Sequence, residues 1–581
     1  MVKQRTLCAP IGWRYRALAI LSGVLALAGC GDDVAATSGD TETGSGSGGT
    51  ADSSMADGTD GTTEGGSQSD GQIEGFMPGA GGMRKLTVRE YRASVDLMLG
   101  PAAAAAAIPP ADIGQDGFDA VGASILPLAA DSVELYERSA AAVADAVISD
   151  LGPLQALVPC VSANADAACY REVATSLGRL AYRHTLSTAE VDSLANIAAQ
   201  GQRWGAGAFL TGLRYELMAI LQAPSFLYVQ EIGEPDPEGS EFRRLTASEL
   251  ATRMSLFLTG HTPTLELLDA AEAGMLDTSA QIRAQAELMV GNPEARTAME
   301  SFFGEALRLR RLAEAPKNAE IFPQFSPELG EMMKDETLLL VADIIWNRDA
   351  DYRTLFDADY TFVNDPLAAL YGMDPPGTGS MFTQVQWPEQ QHRAGYTSQA
   401  SFLTWQSGPR RNSPTKRGLY VQERILCQRI QPPDPDAELE LPDSEDLTLK
   451  ELLEMHLDND GCRGCHALTD PIGFAFESYT AIGAFRTTDN GKPVETDGEI
   501  ADIGAWNNAK ELGEILAQDP RTGTCLVRNL VKGTLGQRLT AEHTPGIDDL
   551  GLVFADSGYR VQALLVDMTA HPLFRLVDEP K

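Results

Sequence analysis

A threonine, a glutamate three residues on, and an apolar-periodic run closed by glycine make up residues 86–100, LTVREYRASVDLMLG. Thr87 has the chemistry of an N-cap, Glu90 completes a capping box, and Gly100 stops the helix. TASELATRMSLFLTG (246–260) repeats the design, starting at Thr246 or Ser248 and ending at Gly260. SPELGEMMKDETLLLVADIIWN (326–347) reads as a long amphipathic helix opened by Ser-Pro. Helical periodicity also covers 130–150, 167–183, 187–200, 204–223, 279–291, 294–312, 413–430, 446–458, 508–518, 523–535 and 559–570. Strand signal is sparse. Its clearest instance is a short hairpin around 485–504, with turns expected at Asp489-Asn490-Gly491 and Asp497-Gly498. Such a pattern predicts a mainly α protein, a multi-module helical assembly with a small β-hairpin in its C-terminal part.

The helical pattern begins only after about eighty residues. Residues 1–16 carry Lys3, Arg5, Arg14 and Arg16 and no acid, and an apolar stretch runs from Ala17 to Ala28. This is the layout of an export signal, too short for a good transmembrane span. It ends Leu27-Ala28-Gly29-Cys30, which resembles a bacterial lipobox. Acylation of Cys30 and a mature protein tethered by lipid are therefore expected. Residues 31–82 are a Gly/Ser/Thr/Asp tract with ten acids and no base before Arg84. This composition cannot bury a core and reads as a disordered spacer. Losing the signal removes four cations and moves the formal charge from −37 to −41. Nucleic acid or anionic lipid is a poor partner for that surface, whereas a cationic redox protein would be steered toward it.

The chemical signal lies far downstream. Cys462-Arg463-Gly464-Cys465-His466 is a C-x-x-C-H run, the pattern that carries covalent haem c. Its two thiols can add to the two porphyrin vinyl groups, and His466 would then sit beneath the iron as proximal ligand.

Segments around this motif resemble, in order, the modules of the planctomycete- and myxobacterial-type multidomain family of cytochrome-c-like exported proteins. RKLTVREYRASVDLMLG resembles the first module and ACYREVATSLGRLAYRHTLSTAEV the second. RRLTASELATRMSLFLTG through YTFVNDPLAALYGM resembles the third. RAGYTSQASFLTWQS through GCRGCHALTDPIGFAFESYTAIGAFR resembles the cytochrome-c-like fourth, and LVRNLVKGTLGQRLT to HPLF the last. The residues themselves mark a signal peptide over 1–29 and a linker over 30–82, and the resemblance implies export. It implies helical modules over 83–150, 160–230 and 242–373, a cytochrome-c-like module over 388–498, and a C-terminal helical module over 500–575. Most of these modules have no assigned activity. Some relatives also carry a separate N-terminal cytochrome domain, where this chain has the spacer.

A porphyrin at the motif would give several neighbours a role. Phe474, Phe476, Tyr479, Ile482 and Phe485 would form its apolar wall, Gly473 and Gly483 would admit the flat ring, and Arg486 would pair with a propionate. Taken singly, each also reads as an ordinary core or surface residue. For the sixth ligand the candidates are His456, at a position where the family resemblance also places a histidine, and Met455, His543, Met568 and His571; an open or water-ligated site is the alternative. His184, His261 and His392 read as ordinary surface or core residues. A filled site favours electron transfer, and an open one peroxide or oxygen chemistry.

The same atoms allow other chemistry. His456, Cys462, Cys465 and His466 have zinc-ligand types, though adjacent Cys465 and His466 would chelate one ion awkwardly. A Cys462–Cys465 disulfide, structural or redox-active, is a further option. Either would suit a non-catalytic, surface-anchored scaffold or binding lipoprotein. Among the remaining cysteines, Cys160 with Cys169 closes a short polar loop, and Cys427 with Cys525 would staple the cytochrome-like segment to the last module over the haem face. There is no G-x-S-x-G elbow, H-E-x-x-H or Walker pattern. Acids such as Glu331 and Glu336 on the long helix read as solvated.

Overall fold

The structure is a computed structural model that describes residues 73–431, 446–455 and 460–579. Cys30 and His456 lie outside the described residues, as do the signal and most of the spacer. Among the described residues there are twenty-five α-helices, and the sheets have two or three short strands each. The mainly α expectation holds.

The capping chemistry works as the sequence indicates. Helix Val88–Leu99 starts at Thr87, whose side chain accepts from the Glu90 backbone while the Glu90 carboxylate accepts from the Thr87 backbone, and Gly100 ends it. Helix Ala247–Leu258 uses Thr246 with Glu249 in the same way, which decides between Thr246 and Ser248. Each such cap is worth about 1 kcal/mol. The long helix runs Pro327–Ala342 behind Ser326 and then widens into a π turn at Asp343–Asn347.

Other elements depart from the expectation. Helices at Asp119–Ile125, Leu265–Glu272 and Thr544–Asp556 were not legible as amphipathic runs. The segment 485–504 contains two hairpins. Thr488–Asp489 pairs with Lys492–Pro493 across Asn490-Gly491, as expected. The second pairs Gly498–Ile500 with Gly504–Trp506, so Asp497-Gly498 leads into a strand and supplies no turn.

Short strands tie distant segments together. Gly82–Lys85 runs antiparallel to Tyr228–Glu231, and Leu576–Val577 antiparallel to Arg243–Arg244. Arg253 grips Glu231, just past the second expected module, through two bonds of 2.8 and 2.7 Å and donates to the Phe574 carbonyl at 2.7 Å, joining the third and last modules. The cores follow the same logic. One buried cluster runs from Leu86 to Leu256, and a larger one takes in Phe76 and residues from Leu245 to Val577. Modules this short bury too little apolar surface alone, so they share cores.

Two disulfides join the expected pairs, Cys160–Cys169 and Cys427–Cys525. The second bolts the end of the π turn Val421–Ile425 to helix Pro520–Leu535. Among the described residues no helix is long and apolar enough to cross a membrane.

Candidate functional site

Helix Asp460–Phe474 carries the C-x-x-C-H run, separate from the preceding helix Leu449–Glu454. Cys462, Cys465 and His466 stand at i, i+3 and i+4, so one helical face carries all three. Cys462 is 4% exposed, and Cys465 and His466 are partly buried. Neither thiol is in a disulfide, although the other four described cysteines are paired. Burial raises the Cys465 pKa, the reverse of what an attacking redox thiol needs.

The imidazole is held from behind. His466 Nδ1 lies 2.7 Å from Oδ2 of Asp470, one turn along, and this bond raises the histidine pKa. Asp470 is 2% exposed, and its other oxygen accepts from Thr415 Oγ1 at 2.7 Å. The pair fixes the proton on Nδ1, so a metal would be met by Nε2. Sequence reasoning did not single out Asp470. The signal that marks it is the H-x-x-x-D spacing, an i, i+4 pair on the motif helix.

The helix seats against Pro414–Tyr420 at near-contact distance. A Cβ on Gly473 would lie 2.0 Å from the Pro414 carbonyl oxygen, and one on Gly418 1.8 Å from that of Thr469. Gly473 therefore admits another helix, where the sequence had suggested a porphyrin. Gly483, at φ +91°, likewise sits on Ala400.

The expected apolar wall is turned inward. Phe476 and Tyr479 are in the main core, Phe474 packs with Leu449 and Leu453, Ile482 packs with Phe322, and Phe485 lies against the main core. Arg486 donates to the Glu477 carbonyl at 2.8 Å, to Glu477 Oε2 at 2.5 Å and to Asp489 Oδ1 at 2.8 Å. A propionate would have to displace these partners. A cavity in the module, about 250 Å³, is lined by Lys450, Glu451, Glu477, Asp489, Lys492 and Glu495 among others. None of Cys462, Cys465 and His466 is in its wall. In contrast, a Cβ on Gly464 would meet nothing within 4 Å, and Leu468 is 41% exposed, so the open side of the motif is the outer face of the helix. Cys462, Cys465 and His466 are the residue types that would hold a covalent haem, but Cys462 is buried, the open face carries Gly464 and Leu468, and the residues nominated as its wall belong to the protein core.

The other candidate axial ligands are largely engaged. His571 uses both ring nitrogens, one accepting from the Leu573 backbone and one 3.1 Å from Asp549, and burial lowers its pKa to about 4. Met568 is 1% exposed in the main core. His543 is buried with Nδ1 bonded to Thr540 and Nε2 without a hydrogen-bond partner among the described residues, while Met455 is exposed at the end of helix Leu449–Glu454. Among the described residues no group of three or more His, Cys, Asp or Glu is arranged to hold a metal ion.

Acids on the long helix depart furthest from the sequence expectation. Glu331 is exposed as expected, but Glu336 is fully buried, accepting from Thr361 Oγ1 and Tyr371 OH at 2.6 Å each. Burial raises its pKa to about 7.

Four family models match the chain in order. All are described as proteins of unknown function: PSD3 (DUF1587) over 84–149, PSD5 (DUF1595) over 169–231, PSD4 (DUF1592) over 245–373 and PSCyt3 (DUF1588) over 393–489. The last contains the C-x-x-C-H helix. No curated protein and no solved structure matches the chain significantly. With its modules in this order around a cytochrome-like segment, the chain belongs to the planctomycete-type multidomain family of cytochrome-c-like proteins.

Proposed function

We propose that this is an exported, lipid-anchored c-type cytochrome-like protein, tethered at Cys30, that carries electrons or does haem-based redox chemistry at the cell envelope. The observation that carries this reading is the pair of unbridged thiols, Cys462 and Cys465, beside an oriented imidazole in a chain whose other described cysteines are all bridged. Those bridges also suit an oxidising compartment.

In this reading Cys462 and Cys465 hold the group, His466 is the proximal ligand, and His456 is the nearest further imidazole in the sequence. A bound haem c would supply one-electron redox chemistry. Asp470 keeps the proton on Nδ1 and fixes the ring plane, and Thr415 fixes Asp470. The acidic surface would steer a cationic redox partner.

The test is a pyridine haemochrome spectrum of the full chain produced with haem-attachment machinery, alongside Cys462→Ala and Cys465→Ala. The wild type should give a thioether-linked haem that survives denaturation, and the double variant should retain essentially none. A colourless wild type, or equal haem in the double variant, sinks the proposal. It would favour the second reading, a non-catalytic anchored scaffold, which the inward packing of Phe474 to Phe485 supports.

A further inference from the structure

In a chain with 82 acids and 45 bases, one cavity gathers cations. It measures about 430 Å³, and Arg424, Arg429, Arg528 and Lys532 line it, with only Asp116 and Glu423 as acids. Asp116 is shared with Arg538, its carboxylate 3.1 Å away. Among the described residues none of the four cations makes a salt bridge. The one hydrogen bond among them is a long one, from Arg424 Nη1 to the Asp116 carbonyl at 3.4 Å.

The local geometry shows why they stay together. Cys525, Arg528, Asn529 and Lys532 lie at i, i+3, i+4 and i+7 on helix Pro520–Leu535, so they share one face. Arg424 sits in the π turn Val421–Ile425, three residues before Cys427. Turns of this kind occur often at functional sites. The Cys427–Cys525 disulfide bolts these two elements to each other. Like charges drawn together repel, and here a covalent bond opposes that repulsion. Lys532 has its pKa lowered by burial, Arg424 and Arg528 against the opposing pull of Asp116, and Arg424 by burial and Arg308 against Tyr420, Glu423 and Asp116. Arg429 is exposed, but holding Arg424, Arg528 and Lys532 unpaired and partly buried costs free energy, and a multiply charged anion would recover it.

We propose that this cavity, formed by Arg424, Arg429, Arg528 and Lys532 around the Cys427–Cys525 bridge, is a binding site for a phosphate-type oxyanion, either free or on a lipid headgroup. Planar guanidinium groups suit the paired oxygens of such a ligand, and the volume suits a small molecule. The site uses none of the haem-motif residues, so it stands whether or not haem is bound.

Titration calorimetry of the full chain with pyrophosphate at low salt tests it. One equivalent should bind, and affinity should fall as salt rises. The variant Arg528→Gln/Lys532→Gln should lose about tenfold or more in affinity. The same variant without ligand should unfold at a higher temperature than wild type, because repulsion is relieved; this readout also shows that it folds. Co-sedimentation with phosphatidic acid vesicles, against neutral phosphatidylcholine, separates the sources. Binding to those vesicles but not to pyrophosphate, lost in the double variant, assigns the lipid headgroup. No binding of either by wild type, or equal binding by the double variant, overturns the proposal.

Discussion

Glu477→Leu should destabilise the protein by about 3–5 kcal/mol, the usual cost of leaving a buried ion without its partner. Glu477 is 3% exposed and sits between two guanidinium groups, accepting from Arg417 at 3.4 Å and Arg486 at 2.5 Å, with Asn412 at 3.0 Å. Burial raises its pKa despite those cations, and burial likewise lowers that of Arg417 to about 10. Removing the carboxylate strands Arg417, which is fully buried and otherwise bonds only neutral oxygens. Urea denaturation followed by circular dichroism measures the loss. Arg417→Met added to Glu477→Leu should restore part of it, because the stranded charge goes too. A single variant within about 1 kcal/mol of wild type would show that the ion pair does not hold the segment after the haem-motif helix.

Glu216→Met should do the opposite and stabilise the fold, increasingly so at alkaline pH. Glu216 lies on helix Phe209–Gln222, is fully buried, and neither carboxyl oxygen has a hydrogen-bond partner among the described residues. Burial raises its pKa to about 9 from an ordinary 4.5. The folded state therefore binds the proton more tightly than the unfolded chain does. This contribution is intact below about pH 4.5 and is lost as pH rises toward 9. In that window the wild type should lose up to about 1.4 kcal/mol per pH unit relative to the variant. Over the full window the difference reaches several kcal/mol, and at about pH 8 methionine should win by about 3 kcal/mol or more. Denaturation midpoints of both proteins at about pH 5, 7 and 9, which bracket the window, check this. Parallel curves for the two proteins would mean that Glu216 is not protonated in the fold.

Residues near in sequence were legible wherever the physics was local. Thr87 with Glu90 and Thr246 with Glu249 cap helices because a side chain three residues away can reach an open backbone donor. The Cys160–Cys169 bridge closes a nine-residue separation for the same reason of proximity. Once the segment is helical, the spacing of Cys462, Cys465 and His466 puts all three on one face. Helix Asp460–Phe474 was harder to read, since Gly473 reads as room for a flat ring until its close approach to the Pro414 carbonyl explains it.

By itself, the sequence determined the helical class, the caps, the donor set and the family, because each depends on atoms within a turn or two of one another or on motifs in a fixed order. Only the tertiary structure decided which face of that helix is open and where its aromatics went. It also decided that Arg486 is already paired, that Glu216 and Glu336 are buried, and that four cations meet beside one disulfide. Burial and charge pairing are set by neighbours up to hundreds of residues away, and no local pattern encodes which of those neighbours will arrive.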